Sequence, residues 1–216
     1  GSNLTYTPKT DYNGKDTFLF LAKDAAAISN TASVSIDVIA VNDTPIANSQ
    51  SITTSEDTTS PITLTASDID GDKLNYSIIS NPNKGTLTGK LPKLTYAPDT
   101  NFTGDDTFTF VARDTVSVSQ TATVNITVEA INDVPTAHNQ SITILEDTVK
   151  PITLTAEDPD NSSVTYALVT LPTNGTLAGT PPDLTYTPNP DFDASDTFTF
   201  VAKDTDSVSP TVTVSI

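Results

Sequence analysis

Apolar and polar side chains alternate with a period of two through residues 106–113. Phe108, Phe110 and Ala112 fall on one side, Thr107, Thr109 and Arg113 on the other. The same alternation carries Ala122, Val124, Ile126 and Val128 onto one face. Successive side chains of a strand point to opposite faces, so each segment predicts a half-buried β-strand. Read this way, residues 42–131 predict seven strands, near 48–54, 61–66, 73–80, 85–88, 93–97, 106–113 and 120–129. Turn-forming runs such as "NPNKG" from Asn81 and "APDTNFTGDD" from Ala97 separate them. No long segment carries helical periodicity. Seven short strands in such a span predict an Ig-like sandwich.

The pattern then repeats. "LTYTP", "LTYAP" and "LTYTP" begin at Leu4, Leu94 and Leu184; "DTFLFLAKD", "DTFTFVARD" and "DTFTFVAKD" begin at Asp16, Asp106 and Asp196. "VNDTP" at Val41 returns as "INDVP" at Ile131. Residues 42–126 and 132–216 align without a gap and are identical at a little over half their positions. A fixed long period means domains joined in series. The expected organisation is a partial repeat over 1–41, holding the last three strands only, followed by full repeats over 42–131 and 132–216. The expected fold class is all-β: tandem seven-stranded Ig-like sandwiches, end to end.

Charge narrows the partners. With 27 acidic and 10 basic residues the net charge is −17, which argues against nucleic acid and against insertion into anionic membranes. It favours cations. The absence of Cys excludes disulfides and thiolate metal sites, and a lone His excludes a His-rich zinc site within one chain. No apolar run reaches the ~18 residues of a membrane span. The opening Gly1-Ser2 reads as a remnant of cloning, so a missing leader carries no information.

Four motifs resemble cadherin repeats, and more closely the cadherin-like and Ig-like tandem repeats of large bacterial surface adhesins. "ASDIDGD" followed by "LNYSI" (Ala66 to Ile78) is similar to the cadherin A-x-D-x-D-x-G…Y-S-I segment. "FTFVARD" (Phe108 to Asp114) is similar to the strand ending A-x-D. "VNDTP" and "INDVP" resemble the inter-repeat linker D-x-N-D-N-x-P. "SEDT" (Ser55) and "LEDT" (Leu145) supply a Glu after the first strand. There are departures. Ala40 and Ala130 replace the first linker Asp, Thr44 or Val134 the second Asn, and Asn161 stands where Gly71 does. Fewer ions per junction than in animal cadherins are therefore expected.

With that topology, the resemblance implies an all-oxygen ligand set at each junction. One set is Glu56, Asp106, Asn132, Asp133, Asp158, Asp160 and Asp204. The equivalent set is Asp16, Asn42, Asp43, Asp68, Asp70 and Asp114, expected to be weaker because it lacks a Glu. Calcium suits such a set, since it takes 6–8 oxygens in flexible geometry. The competing reading is that these residues simply form turns, for which Asp and Asp-Gly are suited. The expected function is a calcium-stiffened extender in an extracellular bacterial adhesin or other surface protein, of the kind found in biofilms. Its partners would be calcium ions and neighbouring repeats of the same chain. The alternative is a polysaccharide-binding module, or homophilic adhesion to another copy of the chain.

Other chemistry is weakly supported. His138 aligns with Asn48, and no aromatic platform or Trp accompanies the paired carboxylates, so an enzyme is not expected. Lys–Asn crosslinks fail on the one basic position shared by all repeats, Lys23, Arg113 and Lys203, because Arg cannot perform that chemistry. Alternating Thr, as in "TFTF" at Thr107, reads as the solvent face of a strand rather than an ice-binding face. The apolar face of residues 1–41, with Tyr6, Phe18, Phe20, Val34 and Ile36, lacks the rest of its core; either it pairs with another chain through open edges, or the phase of the repeat is shifted.

Overall fold

The computed structural model describes residues 3–160 and 162–216, so Asn161 lies outside it. The described residues contain strands and turns but no α-helix. The chain forms two compact units. The first comprises Gly1–Thr54, Thr58–Asp99 and Gly104–Val128; the second comprises Ser55–Asp57, Thr100–Thr103 and Glu129–Ile216.

The first unit opens with an antiparallel pair, β1 (Gly14–Phe20) and β2 (Ala32–Val38). It continues with β3 (Ile46–Ala47), β4 (Gln50–Ser55), β5 (Ser60–Thr63), β6 (Ala66–Ser67), β7 (Asn75–Ser80), β8 (Gly85–Lys90), β9 (Lys93–Pro98), β10 (Gly104–Arg113) and β11 (Ala122–Glu129). Two sheets result, in the orders β4-β11-β10-β7 and β5-β9-β8. Alternation places Phe108, Phe110, Val124 and Ile126 from the first sheet, and Ile62, Leu94 and Tyr96 from the second, in a buried core. The second unit repeats the plan with β12 (Thr136–Ala137), β13 (Gln140–Ser141), β14 (Lys150–Thr153), β15 (Ala156–Glu157), β16 (Thr165–Thr170), β17 (Gly175–Thr180), β18 (Asp183–Pro188), β19 (Thr197–Lys203) and β20 (Val212–Ser215). Its sheets run β13-β20-β19-β16 and β14-β18-β17, and β13 pairs with β20 in parallel. Ile152, Leu184, Tyr186, Phe198, Phe200 and Val214 form its core.

The segment expected at 48–54 is observed as β4, preceded by β3, which pairs with β6 in a separate two-stranded ribbon. The segment expected at 61–66 divides into β5, in the second sheet, and β6, in that ribbon. Between β3 and β4 the Asn48 N–H donates to the Thr65 carbonyl at 3.0 Å.

Residues 1–41 give two strands where three were expected. Leu4–Pro8, the counterpart of β9, forms no strand. The reason is pairing: β9 is held by β5 on one edge and β8 on the other, and Leu4–Pro8 has neither. Phe20 is 47% exposed, whereas its counterparts Phe110 and Phe200 are fully buried.

Candidate metal centre

Within the second unit, the linker between β11 and β12 runs beside the turn Ser55–Asp57 and the loop after β15. The Ile131 N–H donates to Glu56 Oε1 at 2.8 Å, and the Glu56 N–H donates to the Glu129 carbonyl at 2.9 Å. Glu56 is 97% buried, being 3% exposed. The Asp133 N–H donates to Asp160 Oδ2 at 2.7 Å, and the Asp160 N–H to Asp158 Oδ1 at 2.9 Å. Carboxylate oxygens of Glu56, Asp133 and Asp160 thereby come within 4.8 Å of one another. A cavity of about 400 Å³ lies here, lined by Glu56, Asn101, Ile131, Asn132, Asp160 and Asp206 among others.

The electrostatics are unfavourable as the chain stands. Burial pushes the Asp133 carboxyl above its ordinary pKa, and the charges of Asp160, Asp57 and Asp158 push it further. Asp133 Oδ2 and Asp158 Oδ2 are enclosed and accept no hydrogen bond. Buried carboxylate oxygens without a donor are costly. Such oxygens fit a hard divalent cation.

The first unit builds the same arrangement around the linker after β2. The Asp43 N–H donates to Asp70 Oδ2 at 2.7 Å and the Asp70 N–H to Asp68 Oδ1 at 2.9 Å. Asp68, Asp70 and Asp72 have oxygens within 4.8 Å of one another, and Asp68 Oδ2 is enclosed without a partner. Burial, then Asp70, Asp11 and Asp68, raise the pKa of Asp43.

The remaining residues of the expected sets sit differently. Asp106 is buried and already solvated by protein: Asn83 N–H and Thr107 N–H donate to Oδ1, and Lys84 N–H and the Tyr96 hydroxyl to Oδ2. Burial acts to raise its pKa, and these donors more than offset it. Asp196 repeats the arrangement with Tyr186, and Asp16 receives the Tyr6 hydroxyl at 2.9 Å. Asp114 accepts the backbone N–H groups of Val116 and Ser117, the Ser117 hydroxyl and the Asn42 side-chain N–H. Asp204 accepts the equivalent groups of Asp206, Ser207 and Asn132. The Ser207 hydroxyl, outweighing the effect of burial together with the backbone donors, holds Asp204 at a pKa of about 2. Asp57 and Asp11 were missed by sequence reading. The duplicated "EDT" at 56–58 and 146–148 was the available signal for Asp57.

Paired sheets repeated along the chain, with acidic linkers tied to loop carboxylates, define a tandem Ig-like repeat protein. The chain belongs to the bacterial Ig domain family, whose profile matches residues 1–37, 42–127 and 132–216. Its fold is also similar to cadherin domains. The protocadherin gamma B4 extracellular domain superposes with a TM-score of 0.55 at 18% identity, over 94% of this chain and 40% of that one. The protocadherin gamma B7 EC3-6 structure gives 0.55 at 16% identity, over 94% and 58%. Integrin beta-like protein B of Dictyostelium discoideum is 27% identical in an alignment that covers 86% of this chain and 12% of that protein. The chain thus spans only a small part of its curated relative.

Proposed function

We propose that the chain is a calcium-stiffened extender within an extracellular adhesin or other surface protein. The observation that carries this reading is the pair of enclosed, donor-free oxygens on Asp133 and Asp158, beside Glu56 and Asp160. A turn alone needs no such oxygens. A calcium ion there would supply the missing positive charge and tie the Ser55–Asp57 turn to the 129–133 linker. Asp68, Asp70 and Asp43 would hold a second ion. Extracellular calcium modules of this type bind at ~10⁻⁴–10⁻³ M. Without the ion, converging carboxylates repel and the linker becomes a hinge; with it, the hinge is restrained, and many restrained hinges make a stiff stalk. The cadherin-like fold and the integrin-beta-like relative support a place in adhesion.

Small-angle X-ray scattering with calcium and then with excess chelator tests the reading, paired with melting curves. Calcium is expected to lengthen the particle and raise Tm, and Asp158→Asn with Asp160→Asn to abolish both effects. A particle indifferent to calcium in both shape and Tm returns these carboxylates to the role of turn residues.

A further inference from the structure

The carboxylates around each linker divide into two kinds, and the division sorts ligands from fasteners. This inference rests on the calcium reading above. Glu56 Oε1, Asp158 Oδ1 and Asp160 Oδ2 each accept one backbone N–H. Their second oxygens, and both of Asp133, remain for a cation. That is fewer oxygens than the 6–8 one calcium takes, so backbone carbonyls or water must complete even a single shell. Asp204 is the opposite case. Both its oxygens receive donors: Asp206 N–H and Ser207 N–H on Oδ1, the Ser207 hydroxyl at 2.6 Å and the Asn132 amide at 3.1 Å on Oδ2. The same amide reaches the Ser207 hydroxyl and the Asp133 carbonyl. Asp114, Ser117 and Asn42 reproduce this triad in the first unit. Donor hydrogens converging on an oxygen repel a cation from it.

We infer that Asp204 and Asp114 are positioning residues of a cation-independent latch, which holds the linker asparagine to the loop after β19 or β10, and that each linker takes one calcium ion on the donor-free carboxylates alone. The first repeat supplies an internal comparison. There Asp24 caps the same loop through the N–H groups of Ala26 and Ala27, and Ala27 stands where Ser117 and Ser207 do. The loop therefore needs the aspartate but not the serine. The serine hydroxyl instead joins the asparagine to the aspartate, leaving Asp133 positioned before any ion arrives.

Calcium titration calorimetry on the whole chain, with melting curves in excess chelator, separates the roles. The expected stoichiometry is at most two ions per chain. Asp160→Asn should lose one binding event, or weaken it more than tenfold, with no fall of Tm in chelator. Ser207→Ala and Asn132→Ala should keep that event within about fivefold and lower Tm in chelator. Asp204→Asn should retain the stoichiometry. Loss of the binding event in Asp204→Asn, with Tm in chelator unchanged, would make Asp204 a ligand and overturn the inference, as would more than two ions per chain. If the unaltered chain binds no calcium, the stalk reading fails, while the latch still stands or falls on the melting of Ser207→Ala and Asn132→Ala.

Discussion

At the scale of single residues, the tightest constraints are two glycines with no chemistry of their own. A Cβ on Gly85 would lie 2.6 Å from Tyr96 Cε2 and 2.5 Å from the Ala97 carbonyl oxygen. On Gly175 it would lie 2.5 Å from the Tyr186 ring. Both tyrosines are buried, and Tyr96 is fixed by its bond to Asp106, so neither ring can retreat. Gly85→Ala and Gly175→Ala are therefore expected to destabilise their repeats by about 1–3 kcal/mol or more, as overpacked cores do. Gly71 is the contrast. Its Cβ would meet nothing within 4 Å, and only its φ of +76° opposes substitution. Gly71→Ala should cost about 1–2 kcal/mol, the ordinary left-handed penalty. Chemical denaturation of the three variants gives the ranking; a Gly85→Ala chain as stable as the unaltered one would show that the tyrosine packing is looser than described.

At the scale of elements, a tyrosine–aspartate hydrogen bond ties the two sheets of each full repeat. Tyr96 on β9 donates to Asp106 on β10, and Tyr186 on β18 donates to Asp196 just before β19, both at 2.9 Å. Removing the hydroxyl leaves a buried carboxylate short of one donor, so Tyr96→Phe and Tyr186→Phe should each cost about 1–3 kcal/mol. Tyr6→Phe, at an exposed copy of the same bond, should change stability by less than about 0.5 kcal/mol. The folded pKa values of Asp106 and Asp196 are depressed, so this stabilisation is present above the unfolded carboxyl pKa and is lost as pH falls through the folded value. Equal effects of Tyr6→Phe and Tyr96→Phe on urea midpoints would refute the inter-sheet tie. These aspartates also show what sequence could reveal. Alternation exposed the strands, because burying one face imposes a period of two. The linker and Asp-x-Asp groups were legible because they recur. Asp106 and Asp16 were expected among the cation ligands, because an aspartate beside a junction reads alike whether it faces a cation or, as here, a tyrosine hydroxyl ten residues earlier. The division of 61–66 into β5 and β6 was hidden because changing the pairing partner leaves hydrophobic alternation nearly unbroken.

At the scale of the whole molecule, the net charge of −17 becomes a thermodynamic lever. Two linker carboxyls, Asp43 and Asp133, have folded pKa values raised by burial and by the carboxylates around them. The sign is the reverse of the usual one for aspartate. Where both folded and unfolded forms are ionised, the raised group opposes folding; protonation relieves that opposition as pH falls through the folded value, fully so once pH nears the unfolded value of about 4. In chelator, then, acidifying from pH 7 should first raise Tm, before loss of the Asp106 and Asp196 bonds lowers it at stronger acid. Sodium chloride at neutral pH should act in the same direction, since it screens repulsion between carboxylates over a Debye length of about 10 Å at 0.1 M. Calcium should remove both responses, because the bound cation already neutralises the group that acid or salt would relieve. Melting curves over pH and salt, with and without calcium, measure all three at once. A Tm in chelator that only falls on acidification, and ignores salt, would mean that the linker carboxylates do not oppose one another in the folded chain.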